Sequence, residues 1–287
     1  MKKLTLAVLV GTLLVVTSIA GYCQTARSVG MGMTGIGTAD DAAAWLFNPA
    51  GLASMNVKPQ AGNDVAWQFI GGADYDADMP LDEDFLHLGA FADNQGFGLG
   101  RIKLNDVDAT IYGGGYGFKL NNNWSLGASL VHGKVGGGVF VKAADAYYDE
   151  SETLINAGVM YQWVPSWGAG KAAKVSVMCF DTFDKLQTLW NAGFSTYIGS
   201  KLLVDVDCLD LRDKTASSID KSGRMFNYGA EYAFNDWLTL RAGSQDGDFG
   251  FGGGFNIAGW KIDAGHIKLE SNGYDASQTL ISLTKDF

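Results

Sequence analysis

Fourteen strand-sized segments of alternating hydrophobicity fill the chain from about residue 62 onward, near 64–71, 85–93, 96–104, 109–120, 124–134, 153–164, 173–181, 189–198, 201–210, 225–234, 237–245, 248–257, 260–269 and 278–287. Alternation sends successive side chains to opposite faces of a strand. An even number of such segments, closed by Phe287 at the end of TLISLTKDF, fits an antiparallel barrel that crosses a bilayer. A soluble β-sandwich would alternate as well, so the faces and the connections have to decide.

The clearest faces are apolar against small or polar. Phe226, Tyr228, Ala230, Tyr232 and Phe234 share one side, which faces lipid, and Asn227, Gly229, Glu231 and Ala233 share the other. Trp190, Ala192, Phe194, Thr196 and Ile198 oppose Asn191, Gly193, Ser195, Tyr197 and Gly199, while Leu202, Val204, Val206 and Cys208 oppose Leu203, Asp205, Asp207 and Leu209. A two-residue turn after Phe234 would aim Arg241 at lipid, costing about 2–4 kcal/mol near the midplane. A three-residue turn instead pairs Phe234 with Leu238, so an interior Glu231–Arg241 ion pair bracing the wall is expected. Asp205 and Asp207 also point inward, as candidate partners for cations of the wall or lumen, or as solvated acids.

Connections after even-numbered strands are mostly short, whereas those after odd-numbered strands carry most of the acid: Asp74, Asp76, Asp78, Asp82, Glu83 and Asp84, then Asp145, Asp149, Glu150 and Glu152, then Asp213 and Asp220. Tight periplasmic turns and longer outer loops would produce this asymmetry. Trp124, Trp163, Trp167, Trp237 and Trp260 gather at the short-turn end, where an interfacial girdle belongs. The longest outer connection is read as 135–152.

The chain has 39 Gly and only 4 Pro, and no second apolar run of about 18 residues follows the N-terminal one. Its net charge of −10 argues against nucleic acid as a partner. Lys2 and Lys3, the apolar run Leu4–Ile19 and the small residues Ser18, Ala20 and Gly21 form a secretory signal over residues 1–23, with cleavage open between positions 20 and 23. Cys179 and Cys208 fall on strands separated by another strand and are expected as isolated thiols.

Residues 24–58 form the next unit, ahead of a barrel spanning 59–287. From Ala26 to Asn56 the chain reads ARSVGMGMTGIGTADDAAAWLFNPAGLASMN, without alternation and ending in a helix-like run from Asp40 to Phe47 that Asn48 and Pro49 halt. Such a piece at the periplasmic end of a barrel has its interior to fill, against inward glycines such as Gly113, Gly115 and Gly117.

The residues Ala26, Arg27, Gly30 and Gly32, then Ala39-Asp40-Asp41-Ala42, then Asn48-Pro49-Ala50-Gly51-Leu52-Ala53, closely resemble the N-terminal plug of the FadL/TodX-type outer-membrane transport proteins and of their PorV/PorQ-type relatives. The resemblance implies a 14-stranded antiparallel transmembrane β-barrel of the bacterial outer membrane with an N-terminal periplasmic plug. Asn48, Pro49, Ala50 and Gly51 would form its hatch with Asp40 and Asp41 beside them, and Glu231, Arg241, Asp205 and Asp207 would line the lumen. Two functions stay open. One is passive, plug-gated passage of small hydrophobic compounds of the fatty-acid or aromatic-hydrocarbon class, in a monomer set in outer-membrane lipid. The other is a PorV-type barrel that binds, shuttles or anchors secreted proteins at the acidic outer loops.

Enzymatic signals are weak. Gly30-Met31-Gly32-Met33-Thr34-Gly35 satisfies a dinucleotide fingerprint, but no strand precedes it. His87, His132 and His266 lie on three different strands without zinc-site spacing. Ser129 and His132, three apart on one strand, face opposite ways. No enzyme activity, cofactor or metal is expected.

Overall fold

The computed structural model describes residues 25–55, 57, 65–74, 88–104, 109–141, 146–181, 188–211, 224–271 and 274–287. The signal segment and most of the acidic outer connections lie outside the described residues.

Fourteen antiparallel strands close into a barrel in simple up-and-down order. They are β1 (Trp67–Asp74), β2 (Leu88–Asp93), β3 (Phe97–Leu104), β4 (Ala109–Lys119), β5 (Trp124–Val141), β6 (Ala146–Trp163), β7 (Ala173–Phe180), β8 (Leu189–Ile198), β9 (Leu202–Leu209), β10 (Met225–Ala233), β11 (Leu238–Gln245), β12 (Asp248–Ile257), β13 (Trp260–Ser271) and β14 (Tyr274–Asp286). The seam joins β1 to β14, from Gln68 opposite Asp286 to Asp74 opposite Leu280. Phe287 completes it: its N–H donates to the Trp67 carbonyl at 2.7 Å and its carbonyl accepts from the Trp67 N–H at 3.1 Å. A closed wall leaves no unpaired edge to be satisfied in lipid.

Segment 135–152 departs from the sequence reading. Most of it is strand, with β5 and β6 paired out to Val141 and Ala146 across a register shift between Val135 and Val139. Gly136, Gly137 and Gly138 look like loop residues in sequence; here they occupy a bulge, and the valines and tyrosines around them favour strand.

Inner turns are fixed by side chains that bond their own backbone. Asn235 Oδ1 accepts from the Trp237 and Leu238 N–H groups at 3.0 and 2.8 Å, Asn121 Oδ1 from Asn123 and Trp124 at 2.8 and 2.9 Å, and Asp93 Oδ1 from Gln95 and Phe97 at 2.9 and 2.8 Å. The turn after β10 is therefore the three-residue one: the Phe234 N–H donates to the Leu238 carbonyl and Glu231 stands opposite Arg241.

The exterior between the two ends is apolar, with Phe226, Tyr228, Leu240, Phe251 and Phe255 exposed on neighbouring strands, and Trp124, Trp167, Trp237 and Trp260 exposed at the short-turn end. In water this surface would be a severe liability; as a lipid-facing band above an aromatic girdle it is what a bilayer requires. The architecture is that of a bacterial outer-membrane protein. Among the described residues no helix is long and apolar enough to cross a membrane. Cys179 and Cys208 are free thiols.

Candidate functional site

Residues 25–55 lie against the inner face of this wall. Thr25 caps the short helix α1 (Ala26–Gly30) reciprocally, its Oγ1 accepting from the Ser28 N–H and its own N–H donating to Ser28 Oγ, both at 3.2 Å. Ala26, Val29 and Met33 cluster with Ile267 and Leu280 of the wall. The helix-like run expected from Asp40 is helical only over α2 (Ala44–Phe47), since Asp41 spends its Oδ1 on the Ala43 N–H in a turn. A 3-10 turn over Pro49–Ser54 follows, capped by Asn48, whose Oδ1 accepts from the Ala50 N–H at 3.1 Å.

Close approach to the wall is made possible by missing side chains. A Cβ added at Gly98, Gly100, Gly113, Gly117, Gly127, Gly158, Gly193, Gly229, Gly243, Gly250 or Gly265 would come within 3.0 Å of an atom of the N-terminal segment. Trp45 lies on Gly100 and Gly113, Leu52 on Gly98 and Gly117, Pro49 and Ala50 on Gly127, and Asn48 on Gly158. At Gly115 an added Cβ would meet Ser129 first and Leu52 only at 3.4 Å. Asn48, Pro49, Ala50 and Gly51 are all buried, and Gly51 is pressed against the Ala39 backbone so that no Cβ fits.

Opposite this seat the contacts are polar. Asp207 receives three backbone N–H groups, those of Gly35 and Ile36 on Oδ2 at 2.7 and 2.9 Å and that of Gly37 on Oδ1 at 3.0 Å. Ser195 Oγ donates to the Gly37 carbonyl at 2.9 Å, Lys174 Nζ to the Thr38 carbonyl at 2.7 Å and Asn227 Nδ2 to the Met33 carbonyl at 3.0 Å. Asp205 is fully buried beside Gly37. For Asp207 the expected cation or water is replaced by backbone amides. Successive amides of residues 35–37 form an anion-binding concavity there.

Glu231 and Arg241 form their ion pair, Nε to Oε2 at 2.7 Å, within a longer ladder. Arg27 Nε meets the same Oε2 at 2.9 Å, and Arg27 Nη1 reaches Asp40 Oδ1 at 2.6 Å. On the far side Arg241 Nη1 pairs with Asp263 Oδ1 at 2.7 Å, whose Oδ2 lies 3.6 Å from Lys261 Nζ. Arg27, Asp40, Asp41, Glu231, Lys261 and Asp263 line a polar cavity of about 270 Å³, with Tyr197, Gln68 and Thr284 among its other walls. Burial works against ionisation of both adjacent acids. At Asp40 the charges of Arg27 and Lys174 outweigh it and hold the carboxyl below its ordinary range; at Asp41 burial wins and pushes the carboxyl up.

Toward the outer ends of the strands the inward face turns apolar. Ile102, Ile111 and Val131 on β3–β5, Leu154, Met178, Phe180 and Leu189 on β6–β8, and Ile267 and Leu280 on β13–β14 are all buried. Ile102, Ile111 and Val131 pack with Trp45, Leu46 and Leu52 of the segment and Ile267 and Leu280 with Ala26, Val29 and Met33, while Leu154, Met178, Phe180 and Leu189 form a separate cluster that contains no residue of the segment. At Gly133, farther out on β5, an added Cβ would meet nothing within 4 Å.

The sequence reading named Glu231, Arg241, Asp205 and Asp207 but missed Trp45, Lys174, Asn227 and Asp263. Asn227 and Asp263 carried a usable signal, since both fall on the inward phase of their strands. The roles of Trp45 and Lys174 depend on where an irregular segment turns, which periodicity does not encode.

Neither a family model nor a curated protein matches the sequence. Solved structures do match. The Ralstonia pickettii toluene transporter TbuX aligns with a TM-score of 0.58 at 15% identity, covering 92% of this chain and 98% of that one. The monoaromatic hydrocarbon channel CymD gives 0.54 at 14% identity over 92% and 97%, and the P. putida toluene transporter TodX gives 0.54 at 12% over 92% and 98%. At these identities the likeness is one of fold.

Proposed function

We propose that this chain is a FadL-type outer-membrane channel that passes small hydrophobic compounds inward, with residues 25–55 as its plug and Asn48, Pro49, Ala50 and Gly51 as the hatch. The observation that carries this reading is the apolar inner wall beyond the plug. A water-filled porin lines its lumen with polar side chains, whereas Leu154, Met178, Phe180 and Leu189 form an apolar cluster on this inner wall that contains no residue of the plug and favours an apolar solute over water. The names of the fold neighbours, a toluene transporter and a monoaromatic hydrocarbon channel, support an aromatic hydrocarbon ahead of a fatty acid.

In this reading a solute partitions into the apolar outer lumen and meets the plug at Trp45, Leu52 and Asn48. Its energy of transfer out of water, about 25 cal/mol per Å² of apolar surface, is what competes with the packing of the plug on its glycine seat. The polar cavity around Arg27, Asp40 and Glu231 is a poor medium for such a solute. The charge ladder is therefore a device for holding the plug, separate from the path.

The test is toluene uptake into proteoliposomes holding the purified protein. Uptake that saturates and exceeds that of protein-free vesicles is expected, and rates equal to those vesicles would overturn the reading. Deleting Asn48–Ala53 is expected to change the rate while the barrel still inserts; an inserted deletion variant with unchanged uptake removes the hatch role.

A further inference from the structure

We infer that the outward face of β3–β6 holds the phosphorylated headgroup of an outer-leaflet lipid. The chain carries a net charge of −10, yet cations gather on this part of its exterior. Arg101 and Lys134 are exposed there. Two cross-strand rows contain them: Arg101, Tyr112, His132 and Thr153, and, one step farther out, Lys103, Thr110, Lys134 and Ser151. Thr110, Thr153 and Ser151 complete the two rows as neutral side chains, and Arg101 and Lys134 are the cations that carry the site. His132 Nδ1 and Thr153 Oγ1 share a hydrogen bond at 2.7 Å, and the Tyr112 ring packs on His132 with centroids 4.9 Å apart, which makes the first row a rigid polar strip.

Height in the membrane selects the ligand. Lys134 is ten residues along β5 from Trp124 of the inner girdle. A rise of about 3.3 Å per residue on a strand tilted by roughly 40° lifts it about 25 Å, the full depth of the apolar band. Cations at that level leave the hydrocarbon and meet headgroups, where phosphate is the complementary group and Arg can bind it with two parallel N–H donors.

Shape agrees with charge. Continuing the Arg101 row toward the seam, the next two positions are Gly89 and Gly71, which put no side chain on the exterior before Leu283. Toward the inner girdle, the Phe69 and Phe91 rings, 4.8 Å apart, border this bare strip. A lipid whose phosphate sits on Arg101 and Lys134 can lay an acyl chain along the glycines and onto those rings. This site faces the membrane and is independent of the lumen and of the proposed transport.

The experiment is native mass spectrometry of the full-length mature protein in mild detergent, titrated with lipid A, with lipid A stripped of its phosphates, and with lipid A in the presence of excess inorganic phosphate. Saturable binding of lipid A is expected, weakened about tenfold or more both by loss of the phosphates and by the double variant Arg101→Gln/Lys134→Gln. Lys119→Gln, at the opposite end of the barrel, is expected to bind as the parent does. Gel heat-modifiability checks that every variant is folded. Equal binding of the dephosphorylated lipid, or full binding by the folded double variant, overturns the inference. Complete displacement by inorganic phosphate overturns the lipid as its source and leaves a free-anion site.

Discussion

Along β8–β11 the wall meets residues 31–38 with Asp207, Ser195 and Asn227 as well as with Gly193, Gly229 and Gly243, whereas along β3–β6 it meets residues 44–54 mainly with glycine. The difference follows from the backbone of the segment itself. Residues 31–38 have no regular structure, so their buried N–H and C=O groups must find partners elsewhere, and wall side chains supply them. Residues 44–47 and 49–54 are helical and bond much of their own backbone, so their wall needs only to make room. A polar seat and an apolar seat on one barrel are thus two answers to the same question of where backbone hydrogen bonds go. The left-handed φ of Met33, at 66°, falls within the irregular stretch and that of Ala39, at 33°, directly after it, where the polar contacts can hold a strained backbone in place.

The largest effect is expected at the point where the polar seat carries charge. Glu231→Gln leaves Arg27 and Arg241 facing each other with one neutral partner, and losing one member of a buried ion pair costs about 3–5 kcal/mol. Urea unfolding of the protein in micelles measures it, and a loss below about 1 kcal/mol would show that Asp40 and Asp263 suffice. Limited proteolysis sharpens the comparison: new cuts are expected within residues 31–38 and none within 44–54. Simultaneous release of both stretches would mean that the two seats are not separable.

On the apolar seat Gly127→Val drives a side chain into Pro49 and Ala50. Overpacking of this kind costs about 1–3 kcal/mol, here together with exposure of residues 48–53 to protease. Gly133→Val is the matched control on the same strand and face, with open space around it, and stability equal to the parent is expected. A smaller loss is expected for Asp207→Asn, which can keep one acceptor oxygen for Gly35 and Ile36 but removes the charge and sets an amide NH2 against the Gly37 N–H, at about 1–2 kcal/mol. If Asp207→Asn proves as costly as Glu231→Gln, the anchoring is shared evenly along the polar seat.

The barrel was largely legible because a membrane wall imposes period two on every strand; the phase that put Glu231 and Asp207 inside also put Phe226 and Tyr228 outside. Even the Arg241 register could be reached, since the alternative aimed a guanidinium at lipid. Segment 135–152 failed because three glycines read as loop when they form a bulge. In the candidate site the legible part was composition: a Gly-, Ala- and Met-rich stretch facing inward glycines. Which wall residue meets which backbone group was illegible, because residues 31–38 follow no period. Asp207 accordingly looked like a partner for a cation, whereas its partners are three amides that carry no side-chain signature.

The smallest expected effects come from the adjacent acids at the edge of the polar seat, and they have opposite signs. The folded state holds Asp40 below the ordinary carboxyl range, so its charge contributes stability above about pH 4, and that contribution is lost as pH falls through the lowered value. Asp41 is pushed up by burial, so its ionised form opposes the fold at neutral pH and the penalty is relieved as pH falls through the raised value. Asp40→Asn is therefore expected to destabilise the seat at pH 7 and Asp41→Asn to stabilise it. Each change is expected to be under about 1 kcal/mol, because the Asp40 side chain is 30% exposed and screened. Urea midpoints at pH 7 and pH 4 measure both. Acidification from pH 7 toward 4 should raise the midpoint of the parent more than that of Asp41→Asn, and equal shifts in the two proteins would place the titrating group elsewhere.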